Sequence, residues 1–313
     1  MNRKEKTYRI LTTLLVVFLL LGVIPYLLTF LGSGYPKSPK VRMLGTDGQI
    51  RTLDLEEYLL GVVAAEMPAE FELEALKAQS VAARTYVLKR IEDARAENSA
   101  YDVDTTEKTQ AWNSKSQLIK KWGAMNYFKY QRKISRAVKE TRGQVLTYNN
   151  EKISSVYHSS SGRYKTERAG EVWVNDLPYL QNVISGELRP QRFTKRQTFD
   201  SATFFTLLDF PNIPERFNTG DMVLLERTAA GRVKSVAIKG KVFKGTDIRK
   251  KLQLPSTDFE WRIEDNRIEF ISYGKGHGVG MSQYGANDLA RTGYDYRQIL
   301  EHFYPGTKLE NVF

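Results

Sequence analysis

The chain has 313 residues, with 47 Lys and Arg against 36 Asp and Glu, a formal net charge of +11 and no cysteine. That length buries a substantial core as one large domain or two small ones, and the absence of thiols excludes disulfide staples and thiolate metal sites. The positive charge suggests an anionic partner, with a generic solvated surface as the plainer alternative; the basic residues are spread along the chain without a recognisable nucleic-acid motif, so an anionic cell wall or membrane surface fits better than nucleic acid.

Residues 10–31 form an uncharged, mostly apolar run preceded by Arg3, Lys4, Lys6 and Arg9. Such a run spans a bilayer and exceeds the apolar region of a secretory signal. No clear small-x-small cleavage site follows, although Gly32-Ser33-Gly34 leaves cleavage open, and the favoured reading is one uncleaved transmembrane helix. The positive-inside rule keeps residues 1–9 cytoplasmic and places the bulk of the chain outside the cytoplasm. Residues 32–40, rich in Gly, Pro and Ser, then read as a short tether.

Two apolar segments flank Asp47-Gly48, a strong hairpin signal. A helix follows, opened by Asp54 with Glu57 three residues on. Leu55, Leu59, Val62 and Glu66 recur on one face of that helix, so a carboxylate falls on the apolar stripe. Pro68 ends the helix near Met67 and leaves Glu66 in its last turn. Burial and the negative end of the helix dipole both disfavour the charged form, which suits a general acid for glycosidic bond cleavage. A glutamate turned to solvent or paired with a basic residue is the plainer alternative.

A second helix over about 70–94 carries Arg84 and Tyr86, with Ala75, Ala78 and Ala82 permitting close packing. Arg84 shares a face with Lys77 and Ser80 and points either to solvent or to the cleft. Residues 101–112 look irregular, 114–140 are predominantly helical, and Asn149-Asn150 turns a second hairpin. That hairpin ends in His158, Ser159, Ser160, Ser161 and Gly162, where hydroxyls and an imidazole suit a polar ligand, although serine-rich turns also follow strands with no ligand at all. A short helix near 201–208, strands at 222–226, 233–239 and 261–271, and helices at about 282–291 and 295–303 complete the chain. Residues 274–286, with His277, Gln283 and Tyr284, alternate glycine with other residues so that the backbone can approach a ligand closely. They lack the ending of a phosphate-binding loop. Neither a nucleophile elbow nor a zinc spacing among His158, His277 and His302 is present.

Taken together, Glu66-Met67-Pro68, the stretch from Ala75 to Tyr86, Tyr157 to Gly162, and Gly276 to Ala286 resemble the stage II sporulation protein D family, membrane-anchored peptidoglycan lytic transglycosylases of endospore-forming bacteria. The resemblance covers about residues 41–307. It implies cleavage between N-acetylmuramic acid and N-acetylglucosamine during forespore engulfment, from the mother-cell membrane facing the septal wall. It also implies an amidase partner that strips stem peptides first, and a third membrane protein. By residue match Glu66 is the catalytic acid and Arg84 a further important position. Extending the match, Tyr86, His158, Ser159, Ser160, Ser161, His277, Gln283 and Tyr284 join Arg84 in contacting glycan. Some family members bind zinc through Cys and His around the segment corresponding to 104–110, but this chain has no such ligands there, and no metal or cofactor is expected. The double glycine familiar after the serines is Gly162-Arg163 here.

The expected architecture is mixed α and β, a two-lobed extracytoplasmic body with a cleft. Residues 41–180 form the catalytic lobe, 181–265 a second lobe, and 266–313 complete the cleft. Relatives of this architecture include amidase enhancers, so a non-catalytic cell-wall scaffold that activates a partner amidase is the rival expectation.

Overall fold

A computed structural model describes residues 3–24, 38–105, 109–163, 165–173, 175–214 and 216–313. Arg3–Phe18 is α-helical and Leu19–Val23 continues as a π-helix. Leu14, Leu15, Phe18 and Leu21 on this segment are exposed. Among the described residues no helix is long and apolar enough to cross a membrane. Residues 25–31 of the expected span and 32–37 of the expected tether lie outside the description.

Pro39–Val312 form one compact unit. Its first hairpin pairs Lys40–Leu44 with Ile50–Asp54, and Val103–Asp104 adds a parallel strand to the other edge of the first. Asp54 caps the helix Leu55–Glu66 by accepting from Glu56 N at 3.0 Å. Leu55, Leu59 and Val62 are wholly buried, which confirms the apolar stripe. Met67 turns extended ahead of Pro68 and ends the helix where the sequence predicts.

The helix Leu73–Ala96 buries Ala75, Ala78, Ala82 and Ala83, and with no bulk on that face its neighbours pack close. Both helices pack against Lys115–Glu140, which opens with a capping box between Ser114 and Gln117 and bends at Gly123. Gln144–Tyr148 pairs with Glu151–Lys152 across Asn149 and Asn150, both at positive φ as a tight hairpin turn requires. The last strand, Lys308–Asn311, lies along its other edge.

Two three-stranded sheets and two short helices follow around an apolar cluster that includes Phe204, Phe205, Phe217, Val236 and Phe270. One sheet runs Phe259–Glu264, Arg267–Ser272, Lys195–Asp200; the other runs Lys241–Lys244, Val233–Ile238, Met222–Arg227. Pairing of Lys195–Asp200 with Arg267–Ser272 crosses the boundary expected at 265, so strand partners bind these stretches together. The helices Gln283–Arg291 and Tyr296–Phe303 begin at Ser282 and Asp295, whose side chains cap them.

Candidate active site

Glu66 is half-buried in the last turn of its helix and accepts a hydrogen bond from the backbone N–H of Ala111 at 2.9 Å. It borders a cavity of about 1140 Å³. The same cavity is lined by Tyr86, Gln110, Tyr157, His158, Ser159, His277 and Gln283, with Trp173 and Phe193 as apolar surfaces. Arg192, Lys195, Arg249 and Lys275 add four cationic side chains to the lining. Burial holds the phenols of Tyr58, Tyr86 and Tyr157 above their ordinary pKa, and the negative charge of Glu66 adds a smaller push in the same direction.

The serine-rich and glycine-rich segments meet through a parallel pair in which Tyr157–His158 lies beside Met281–Ser282. Gly280 sits at φ +70 with its missing Cβ position 2.0 Å from Val156 O, and Gly276 at φ +112 turns its bare α-carbon towards His158. No side chain fits at Gly280. At Gly280 and Gly276 the close approach is to the Val156–His158 stretch of the same chain, because the two segments are stitched together at backbone distance.

Both cavity histidines are neutral, and their hydrogen bonds fix the tautomers. His158 Nδ1 faces Val279 O at 3.0 Å, so it carries the proton, and Nε2 accepts from Ser161 Oγ at 2.7 Å. His277 Nδ1 accepts from Val279 N–H at 3.1 Å, leaving Nε2–H to donate to Tyr157 O at 3.1 Å. Burial holds His158 well below its usual pKa, helped by His277 and Arg232, and burial with Arg249 lowers His277 to about 4.

Other predicted contacts are placed elsewhere. Arg84 is wholly buried and outside the cavity lining. Its guanidinium forms a two-point pair with Glu56 at 2.8 and 2.7 Å and donates to the carbonyls of Gln144 and Val138 at 3.2 and 3.3 Å. It joins three helices and a strand. Ser160 and Ser161 are buried outside the lining as well, and both bond to Glu187: Ser160 Oγ at 2.6 Å and Ser161 N at 2.7 Å. Ser282 Oγ donates to the same carboxylate at 2.8 Å. Tyr284 packs edge-on against Phe71 and Phe193, with the Arg192 guanidinium 4.5 Å from its ring centre, and stands behind the cavity residues.

Sequence reasoning passed over Glu187, Gln110 and Arg232. Arg232 is buried, donates to Ser161 O at 2.7 Å and stands 3.9 Å from the buried Glu167. None of the three lies on a periodic stripe or in a motif. Only the density of serines around 159–161 hinted that a carboxylate must come to meet them. Residues 106–108, within the segment for which the resemblance raised a zinc site, lie outside the description.

A family model described as stage II sporulation protein matches residues 45–148. The chain is 40% identical over 266 residues to stage II sporulation protein D of Bacillus amyloliquefaciens, covering 84% of this chain and 76% of that protein. It is 39% identical over 270 residues to the protein of the same name from Bacillus subtilis (strain 168), with the same coverage. It is also 28% identical over 303 residues to the amidase enhancer of Bacillus subtilis (strain 168), covering 80% of this chain and 40% of that one.

Proposed function

The chain belongs to the stage II sporulation protein D family, and on that premise we propose that it is a lytic transglycosylase cleaving peptidoglycan glycan strands between N-acetylmuramic acid and N-acetylglucosamine during engulfment. The observation that carries this reading is Glu66 on the wall of a cavity large enough for sugar rings, with no second carboxylate among the lining residues described. Ordinary glycosidases need two carboxyl groups. A lytic transglycosylase works with one, because the substrate brings its own nucleophile.

Glu66 in its acid form protonates the glycosidic oxygen as the bond to C1 breaks. Its carboxylate then takes the proton from the muramoyl 6-hydroxyl while that oxygen bonds to C1, leaving a 1,6-anhydro ring and the acid restored. Trp173 and Phe193 offer faces for sugar rings, and Arg192, Lys195, Arg249 and Lys275 favour a glycan bearing free carboxylates. Such carboxylates are what an amidase leaves on the muramoyl residue after removing the stem peptide. That agrees with a role beside a peptide-stripping amidase and a third membrane protein.

The exposed apolar side chains between Leu11 and Ile24 support membrane attachment of the N-terminal segment. The proposed location is accordingly the mother-cell membrane, with the body of the chain on the septal wall side.

Mass spectrometry of the products from peptide-free glycan treated with the purified full chain tests the reading. New 1,6-anhydro ends are expected; reducing muramic acid ends would instead indicate a hydrolase. The similarity to an amidase enhancer favours one second reading, a scaffold that stimulates a partner amidase. It requires that the chain alone produce no new sugar ends and that amidase turnover rise when the chain is added.

A further inference from the structure

The hydrogen bonds around Tyr157 dictate which way its phenol works. Gln110 is buried, and its Nε2 donates to Ala83 O at 3.3 Å and to Tyr157 Oη at 3.1 Å, while its Oε1 accepts from Tyr58 Oη at 3.3 Å. A backbone carbonyl only accepts, so Ala83 fixes the amide with its NH₂ towards Ala83 and Tyr157. Both amide protons are then committed. The Tyr157 oxygen is the acceptor in its bond to Gln110, and its own proton must point elsewhere. Among the described residues that proton meets no acceptor, yet the side chain lines the cavity that Glu66 borders.

The backbone that carries the ring is held in place, and the Gln110 bond ties down its far end. Tyr157 is paired with Met281 in the parallel strand pair, and its backbone carbonyl accepts from His277 Nε2 at 3.1 Å. Burial raises its pKa well above the ordinary phenol value, so the proton stays on the oxygen throughout the neutral range.

We propose that the Tyr157 hydroxyl contacts substrate, donating a hydrogen bond to an acceptor oxygen of the saccharide held beside Glu66, and that Gln110 is the positioning residue that aims it. The proposal rests on the reading of the cavity as a glycan site. A donor fixed before the ligand arrives needs no reorganisation when it binds, which is where preorganised hydrogen bonds act best. Gln110 has this effect by filling the phenol's acceptor position from the protein side, so that only the donor faces the sugar.

The test uses the full chain. Tyr157→Phe is expected to lower the rate of glycan cleavage by roughly 10–100-fold, the loss of one buried polar contact. Gln110→Met should lose several-fold by itself and nothing further when added to Tyr157→Phe, because the two act through one proton. Additive losses would overturn the positioning role of Gln110, and wild-type turnover by Tyr157→Phe would overturn the proposal. A readout independent of catalysis is the NMR signal of ring-labelled tyrosine in Glu66→Gln protein titrated with peptide-free glycan oligosaccharide. The signal assigned by its absence in Tyr157→Phe should shift. A Tyr157 signal unmoved at saturating glycan overturns the proposal, whereas a shifted signal in a protein whose parent cleaves nothing upholds the contact and rejects the cleavage reading.

Discussion

The backbone N–H of Ala111 donates to Glu66 Oε1 at 2.9 Å. This bond anchors the carboxylate from a segment with no regular structure, at the edge of the cavity. Glu66→Gln keeps an acceptor for Ala111, so folding stability should change by less than about 1 kcal/mol. Formation of 1,6-anhydro ends should fall by roughly 10²–10⁴-fold. Denaturant unfolding beside product mass spectrometry measures both, and wild-type product levels would reject the assignment.

Arg84 predicts a different phenotype. With its guanidinium buried against Glu56, Arg84→Met strands a carboxylate in the interior and should destabilise the fold by about 3–5 kcal/mol. Activity lost in Arg84 variants should track the fraction unfolded and recover in part with Glu56→Gln added. Undiminished stability measured by urea unfolding would return Arg84 to a direct functional role.

At Gly280 there is no room for a methyl group, because Val156 O stands 2.0 Å from where a Cβ would lie and φ is +70. Gly280→Ala should lose at least about 1–3 kcal/mol through strain and separation of the strand pair. Calorimetry should show a lowered Tm, and glycan affinity should fall with it, since one cavity wall is made by that pair. An unchanged Tm would mean that the loop relaxes freely.

The neutral histidines make stability depend on pH. His277 is lowered to about 4 in the folded chain against about 6.5 unfolded. Below pH 6.5 the unfolded state takes up a proton that the native state refuses, so stability is lost as pH falls from about 6.5 to 4, by roughly 2–3 kcal/mol from this residue. Glu167 and Glu187, raised by burial, work in the opposite direction. The diagnostic is therefore the difference between wild type and His277→Gln, whose urea midpoint should decline less steeply over that range.

The basic lining should act on charge and not on sugar shape. Lys195→Ala combined with Lys275→Ala is expected to weaken binding of carboxylate-bearing glycan several-fold at low salt, with the difference shrinking as salt rises. Binding of an uncharged chitooligosaccharide should hardly change. Equal losses for both ligands, by calorimetric titration, would contradict a carboxylate-reading role.

How much of this was legible beforehand depended on whether the governing contacts were local. The stripe Leu55, Leu59, Val62 and Glu66, the stop at Pro68, the Asn149-Asn150 turn, the cap at Asp54 and the helix starts near Ser282 and Asp295 are all decided within a few residues, and each is observed. Strand Lys195–Asp200 escaped notice because most of its side chains are polar and exposed, so no apolar alternation marks it. The short strands Tyr157–His158 and Met281–Ser282 exist only through each other, from parts of the chain far apart in sequence. The glycines were recognised as points of close approach, yet the sequence does not say what approaches them. Arg84 shows the same limit: a helical arginine reads as solvated until Glu56, from another helix, is seen to receive it.

The pairing of Tyr157–His158 with Met281–Ser282 also sets an order of events. A chain delivered from its N-terminus presents Glu66 and the helix behind it long before residue 281 has been made, so the acid exists for a time with one side of its chamber missing. Long-range closure of this kind comes late in folding. On the proposed function, a nascent or truncated chain would therefore carry the Glu66 carboxyl without the surface needed to hold a sugar against it, and would leave the wall polymer uncut until synthesis is complete.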